Sequence, residues 1–263
     1  MSDRMKLMCG SNFSLADTLI SGQCFRWSKD GEAIVGTAFG VTVSIVQEGD
    51  HLFIDGDDRQ SLWREYLDLD TDYDAIRRSV LEIEPRLESA SQKSAGLHIL
   101  NQEPWEALCS FIISQNNNIP RIRGIIERLC ELCGVPAKNG GFAFPSPEMV
   151  AVLSEQQLKD IGCGYRAPYI LAAAKGVCEG AISFELLRNA PIEEARAELL
   201  KIHGVGPKVA DCMLLYGLHR LECFPKDVWI KRALEGEFRD TPLLGSPYAG
   251  VAQQYIFEYI RAV

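Results

Sequence analysis

The 263 residues contain no run approaching the roughly 20 apolar residues that span a bilayer, so no membrane association is expected. The opening MSDRMKLMCG lacks the apolar segment of a secretory signal. The nine cysteines are odd in number and follow no paired framework. Reduced thiols, no structural disulfide and a reducing compartment are therefore expected, bacterial cytoplasm or a eukaryotic nucleus. Positive charge is also short: 27 Lys and Arg stand against 36 Asp and Glu, a formal net charge of -9. That balance excludes a protein that coats nucleic acid through bulk positive charge, and any such contact must be local. Cys130 and Cys133 form a lone C-x-x-C on the apolar face of a helix with no second pair to complete a zinc site. No metal and no other cofactor is expected. Internal repeats and low-complexity tracts are missing as well.

What is present is an ordinary core-forming composition, 47% hydrophobic and 24% charged, with uneven charge along the chain. Acid concentrates early, at Asp55, Asp57, Asp58, Glu65, Asp68, Asp70, Asp72 and Asp74. Arg121, Arg123, Arg128, Arg166, Lys201, Lys208, Lys226, Lys231 and Arg232 gather later, around the motifs. Such asymmetry permits one basic face on an acidic protein.

Between Gly22 and Ile54 the chain reads as short strands: Phe25-Arg26-Trp27, a turn at Lys29-Asp30-Gly31, Val41 to Val46, a turn at Glu48-Gly49-Asp50, then His51 to Ile54. The pattern predicts an antiparallel sheet with hairpin connections. From about Leu62 helical periods take over. Trp105, Leu108, Cys109 and Ile112 recur at helical intervals, as do Ile122, Ile125, Ile126, Leu129, Cys130 and Cys133. The Gly- and Pro-rich segment 134–147 reads as a loop. An α+β protein of two lobes follows: a sheet domain over 1–97 and a helical domain over 98–263.

Around residues 199–217 a helix, a tight turn at Gly204-Val205-Gly206 and a second helix from Pro207 are expected. Exposed N–H groups of such a hairpin, at the positive end of a helix, suit one phosphate of a nucleic acid. A glycine turn alone reads better as a structural joint. Lys208 and Cys212 are four apart, so a helix sets amine and thiol on one face; Gln253 and Phe257 pair likewise. Asp227, before Val228-Trp229-Ile230, fits a helix N-cap.

HGVGPKVADC followed by FPKDVW resembles the helix-hairpin-helix (HhH-GPD) DNA glycosylases. SGQCFRW at Ser21 to Trp27, SQNNNIPRI at Ser114 to Ile122 and GCGYRAPY at Gly162 to Tyr169 narrow the resemblance to the 8-oxoguanine DNA glycosylase/AP lyase branch. It spans nearly the whole chain and implies a TBP-like sheet domain before the HhH-GPD domain. The iron-sulfur branches of the superfamily carry four closely spaced cysteines near the C-terminus, whereas the last here is Cys223, so no cluster is expected.

The resemblance implies a bifunctional enzyme of base excision repair, a monomer acting on duplex DNA that contains oxidised guanine. Lys208 is then the nucleophile and Asp227 stabilises the positive charge developing on the sugar. Gly22 accepts the N7 hydrogen that 8-oxoguanine has and guanine lacks, Gln253 reads the flipped base's edge, and Cys212 and Phe257 cover its faces. Asn116 fills the hole left behind. Arg121, Tyr165 and Arg166 surround the orphaned cytosine, and Gly204 and Gly206 belong to the phosphate-holding hairpin. Read without the resemblance, the arginines are solvated surface groups, Cys212 and Phe257 are core, and Asn116 is a helix end.

Trp229 departs from the pattern, since animal enzymes of this branch carry a histidine there that is implied to touch phosphate. Two rivals remain. A glycosylase for another base, such as an alkylated purine, keeps Asp227 but has no need of Lys208. A noncatalytic module uses the hairpin only to hold phosphate.

Overall fold

Alternation of apolar and polar side chains puts one face of a strand in a core, and this chain builds its first lobe that way. The computed structural model describes residues 4–262. Its strands are β1 (Met5–Met8), β2 (Trp27–Asp30), β3 (Ala33–Ala38), β4 (Val41–Glu48) and β5 (His51–Asp55), with helix α1 (Leu15–Ile20) after the first. They form one antiparallel sheet in the order β1-β5-β4-β3-β2. Val41, Val43 and Ile45 of β4 face the core beside Leu52 and Ile54 of β5, as the alternation predicts.

Two details differ from the sequence reading. The strand begins at Trp27 rather than Phe25 and continues to Asp30, so the turn falls at Gly31 and Glu32, between the paired Asp30 and Ala33. β1 and β3 had no expectation at all. The inward positions of β3 are Ile34, Gly36 and Ala38, and the last two are too small to produce an apolar alternation. Gly36 is small for a packing reason: a Cβ there would lie 2.4 Å from the Trp27 ring, which is fully buried opposite it.

Helices α2 (Gln60–Tyr66), α3 (Tyr73–Ile83) and α4 (Glu88–Lys93) follow the sheet. The second lobe continues with α5 (Pro104–Ser114), α6 (Ile119–Cys133), α7 (Pro147–Ala151), α8 (Glu155–Asp160) and α9 (Ala167–Cys178). It closes with α10 (Phe184–Asn189), α11 (Ile192–Leu200), α12 (Pro207–Gly217), α13 (Val228–Glu235) and α14 (Ala249–Ala262). The apolar stripes read from the sequence at Trp105 to Ile112 and Ile122 to Cys130 are buried faces of α5 and α6. All nine cysteines are free thiols, and no described helix is long and apolar enough to cross a membrane.

The two cores interleave along the chain. Trp27, Trp63, Tyr66 and Leu100 belong to the sheet core, whereas Phe25, Tyr73, Val80, Leu87 and Leu97 pack into the helical one. The loop 134–147 reaches back to the sheet, where Thr42 N donates to Lys138 O at 2.9 Å and Lys138 N donates to Gly40 O at 3.0 Å. A second join is a partly buried salt bridge, Arg26 to Glu106 at 3.6 Å. Burial pushes the Glu106 carboxyl up to about 7 despite the nearby Arg26.

A third join is polar and centred on Asp68, which accepts from Tyr73 Oη and Thr71 Oγ1, each at 2.7 Å, and lies 3.1 Å from His219 Nε2. His98 stacks on Tyr73 with ring centroids 3.9 Å apart, and its Nδ1 lies 2.9 Å from Asp68 O. Burial disfavours the imidazolium and holds the His98 pKa below its ordinary 6.5, although Asp68 works the other way. The unfolded chain therefore takes up a proton that the folded protein resists, so His98 costs stability as pH falls below 6.5. His98→Gln removes that cost. Thermal unfolding measured at about pH 7.5 and about pH 5.5 is expected to show wild type losing its advantage over the variant at the lower pH.

Candidate active site and nucleic-acid cleft

A cleft of about 1200 Å³ opens beside Ser21 and Gly22, the Asn116–Ile119 turn, the first turn of α12 and the start of α13. Off it lies a smaller inner pocket of about 90 Å³. Gly22, Lys208, Cys212, Asp227, Gln253 and Phe257 all line that inner pocket. Six positions spread over more than two hundred residues thus converge, and each was singled out by sequence.

The hairpin forms where expected. α11 ends at Leu200, α12 starts at Pro207, and Gly206 is its N-cap with no side-chain cap bond, which leaves first-turn N–H groups open to a ligand. Gly204 has φ +86°, and a Cβ on it would lie 2.0 Å from the Tyr169 ring. Only glycine meets both constraints.

Lys208, in the first turn of α12, donates from Nζ to Ser114 Oγ at 3.1 Å, and Ser114 Oγ donates onward to Phe111 O at 2.8 Å. The ammonium also sits 5.1 Å from the Phe111 ring centroid. One turn along, Cys212 is buried. Desolvation pushes its thiol up to about 11, with Lys208 opposing the rise, so the sulfur stays neutral near pH 7. Amine and thiol share one face of α12, as four-residue spacing requires.

Asp227 is the N-cap of α13, its Oδ1 accepting from Ile230 N at 2.8 Å. A carboxylate held this way is fixed in direction, and here it also borders the inner pocket. Gln253 is buried, and its Oε1 accepts from Gln254 Nε2 at 2.8 Å. An amide oxygen has two lone pairs, so one remains for a ligand donor. Phe257, half-buried, also lines the pocket.

Around the turn after α5, Asn116 is exposed with φ +47°, and its Nδ2 donates to Tyr165 Oη at 3.1 Å. Arg121 is exposed in the first turn of α6, where Asn118 Oδ1 caps its backbone N–H at 3.0 Å. Tyr165 is 50% exposed. Arg166 is no solvated surface group: only 3% exposed, it lies under the Tyr165 ring at 4.4 Å. Its guanidinium donates to the carbonyls of Gln115, Asn116 and Cys163, with Nε to Gln115 O at 2.8 Å. Trp229 is 50% exposed on the cleft wall, with Arg232 5.2 Å from its ring centroid.

Sequence reading missed Ser114 and Gln23. Gln23 Nε2 donates to Thr18 O and His98 O, each at 2.8 Å, and its Oε1 accepts from Leu100 N at 2.9 Å. Gln102 Nε2 donates to Gln23 O at 2.6 Å. These bonds fix the pocket wall at Gly22. The signal was there: both residues lie inside the quoted stretches SGQCFRW and SQNNNIPRI.

Residues 6–108 match the 8-oxoguanine DNA glycosylase N-terminal domain, and residues 109–239 match the HhH-GPD superfamily base excision DNA repair protein family. The N-glycosylase/DNA lyase of Saccharomyces cerevisiae is 30% identical over 263 aligned residues, covering 87% of this chain and 69% of that protein. This chain belongs to the 8-oxoguanine DNA glycosylase/lyase family. It spans about two thirds of the length of the curated relatives it matches. Among solved structures it is similar to MBOgg1 in complex with a low-affinity DNA ligand, with TM-score 0.93, 37% identity and coverage of 100% of this chain and 96% of that one. It is also similar to the Clostridium acetobutylicum 8-oxoguanine glycosylase/lyase bound to duplex DNA with cytosine opposite 8-oxoguanine, with TM-score 0.92, 31% identity and coverage of 100% and 96%.

Gly204→Ala tests the hairpin. The added methyl meets the Tyr169 ring at 2.0 Å and a left-handed φ, so a loss of about 2 to 4 kcal/mol of stability is expected in denaturant unfolding. In a Tyr169→Ala background the clash is gone, and Gly204→Ala is expected to cost only the backbone term of about 1 kcal/mol relative to Tyr169→Ala alone.

Proposed function

We propose that this glycosylase excises 8-oxoguanine, preferentially opposite cytosine, from duplex DNA in base excision repair, and then nicks the strand by β-elimination. The observation that carries the reading is the convergence of Gly22, Lys208, Cys212, Asp227, Gln253 and Phe257 on one small pocket beside a cleft of about 1200 Å³. A base in a duplex has to leave the stack to enter such a pocket.

The chemistry follows from the groups present. Once deprotonated, the Lys208 amine attacks C1′ of the sugar; the C1′–N9 bond breaks and its electron pair leaves with the base. Asp227, held by Ile230 N–H, faces the positive charge that develops on the sugar. The amine then forms a protonated Schiff base with C1′ as the sugar ring opens. Loss of a C2′ proton expels the 3′ phosphate. Ser114 Oγ holds the amine's direction before attack.

For recognition, the Gly22 carbonyl accepts the N7–H that guanine lacks, Gln253 accepts from the base's Watson–Crick edge, and Cys212 and Phe257 bracket its faces. Guanine leaves the Gly22 carbonyl unpaired, and that unpaired buried acceptor separates the two bases by roughly 1 to 3 kcal/mol. Across the duplex, Asn116 enters the vacated space. Tyr165 wedges beside it, and Arg121 and Arg166 donate to cytosine acceptors. Arg166 does so by releasing one of the carbonyls it now holds. Gly204 and Gly206 present backbone N–H groups to one phosphate.

The protein acts as a monomer, since one chain supplies the whole pocket, and works in the compartment that holds the DNA, bacterial cytoplasm or nucleus. A single-turnover assay on an 8-oxoguanine duplex tests the reading. Wild type is expected to release the base faster opposite cytosine than opposite adenine, and Arg121→Ala to narrow the difference by roughly tenfold, the value of one good base contact. Release of an alkylated purine but not 8-oxoguanine would select the rival glycosylase, and no release of either would select the binding module.

A further inference from the structure

Gln115 lines the outer cleft and not the inner pocket, and it stands where three parts of the proposed DNA-facing surface meet. It is the C-cap of α5, half-buried, directly before Asn116. Both hydrogens of its side-chain amide are used. Nε2 donates to Gly204 O at 3.0 Å, in the hairpin, and to Ile112 O at 3.2 Å, in the last turn of α5. Its own carbonyl receives Nε of Arg166 at 2.8 Å, a second Arg166 nitrogen, and Tyr165 Oη at 3.4 Å.

The connections close into a ring. Gly204 lies against Tyr169, which meets Tyr165 edge-on at 6.1 Å. Tyr165 receives the Asn116 amide, and Asn116 follows Gln115. Asn116 holds a left-handed φ of +47°, a conformation that persists in a non-glycine residue only when its surroundings enforce it. Arg166, donating to both Gln115 O and Asn116 O, and Gln115, tied to the hairpin, are what enforce it here.

We infer that Gln115 is a positioning residue that couples the hairpin's hold on a phosphate to the placement of Asn116, Tyr165 and Arg166. The hairpin and the group that fills the hole and meets the opposite base thereby move as one body. The coupling requires a donor of this length: a carboxylate would face Gly204 O with like partial charge, and an apolar side chain of equal volume would leave the two segments independent. The consequence is that discrimination at the opposite base depends on a residue that acts through Asn116, Tyr165 and Arg166.

The opposite-base part rests on the proposed function, whereas the coupling itself does not, and the test separates them. Gln115→Met keeps volume and loses both donors. Gln115→Glu keeps shape and reverses the polarity at Gly204 O. Equilibrium binding is measured to an undamaged duplex and to the same duplex carrying a tetrahydrofuran abasic analogue opposite cytosine or adenine, with thermal unfolding alongside. For both variants the abasic duplex opposite cytosine is expected to bind roughly tenfold more weakly, with undamaged binding changed less than twofold and the cytosine-over-adenine ratio reduced several-fold. Equal loss on damaged and undamaged duplexes, or no loss on either, would overturn the inference, because a merely structural residue moves both together. A variant that unfolds early is measured below its transition, where the same ratio decides. Wild type binding equally opposite cytosine and adenine would count against the cytosine reading alone, since the abasic-to-undamaged ratio still reports on Gln115.

Discussion

The buried amide of Gln23 is the interaction on which the site most depends. It sits between the lobes and exchanges bonds with the carbonyls of Thr18 and His98 and the N–H of Leu100, while Gln102 reaches its backbone carbonyl. An amide buried this fully is tolerated only when its donors and acceptor are paired, and each unmade bond costs about 1 to 3 kcal/mol. The linker 97–102 and the turn before the sheet therefore hold each other in one arrangement. Gly22 is the next residue toward the N-terminus, so the inner-pocket wall at Gly22 is set by the same bonds that hold the lobes together. The proposed recognition of one extra hydrogen on a purine needs a wall that does not drift, and these bonds hold the wall in place.

On the other side of the pocket, rigidity comes from helix starts. Lys208 and Asp227 stand at the beginnings of α12 and α13, where a helix leaves backbone N–H groups unpaired. The chain uses those groups twice. At α12 they remain open beside the glycine hairpin, and at α13 they grip the Asp227 carboxylate, to which the proposed mechanism gives the stabilising charge. The proposed phosphate contact of the hairpin would not depend on net positive charge, because its donors are main-chain. Several of the protein's basic residues are otherwise engaged: Lys201 pairs with Glu198 at 2.6 Å, Arg196 with Asp211 at 2.8 Å, and Arg128 donates to Ile161 O.

Much of this was legible in the residues. The hairpin, the cap role of Asp227 and the shared face of Lys208 and Cys212 follow from spacing alone, because they are local properties of a helix and its ends. β4 and β5 declare themselves by alternation. β3 does not, because Gly36 and Ala38 fill its inward positions to make room for Trp27 from the neighbouring strand, a requirement that exists only once the sheet is formed. Arg166 shows the same limit. Whether an arginine is solvated or buried depends on its partners, and its carbonyls at Gln115 and Asn116 lie some fifty residues away. Convergence on the pocket came through family resemblance rather than through any pattern in the chain itself.

The most direct test of the account is borohydride trapping on a duplex holding one 8-oxoguanine opposite cytosine, run beside an undamaged duplex and the Lys208→Gln variant. A covalent adduct formed only by wild type and only on the damaged duplex is the predicted result, since it requires base excision, a Schiff base and Lys208 as the amine. An adduct that persists in Lys208→Gln, or none with wild type while the strand is still cleaved, would contradict it.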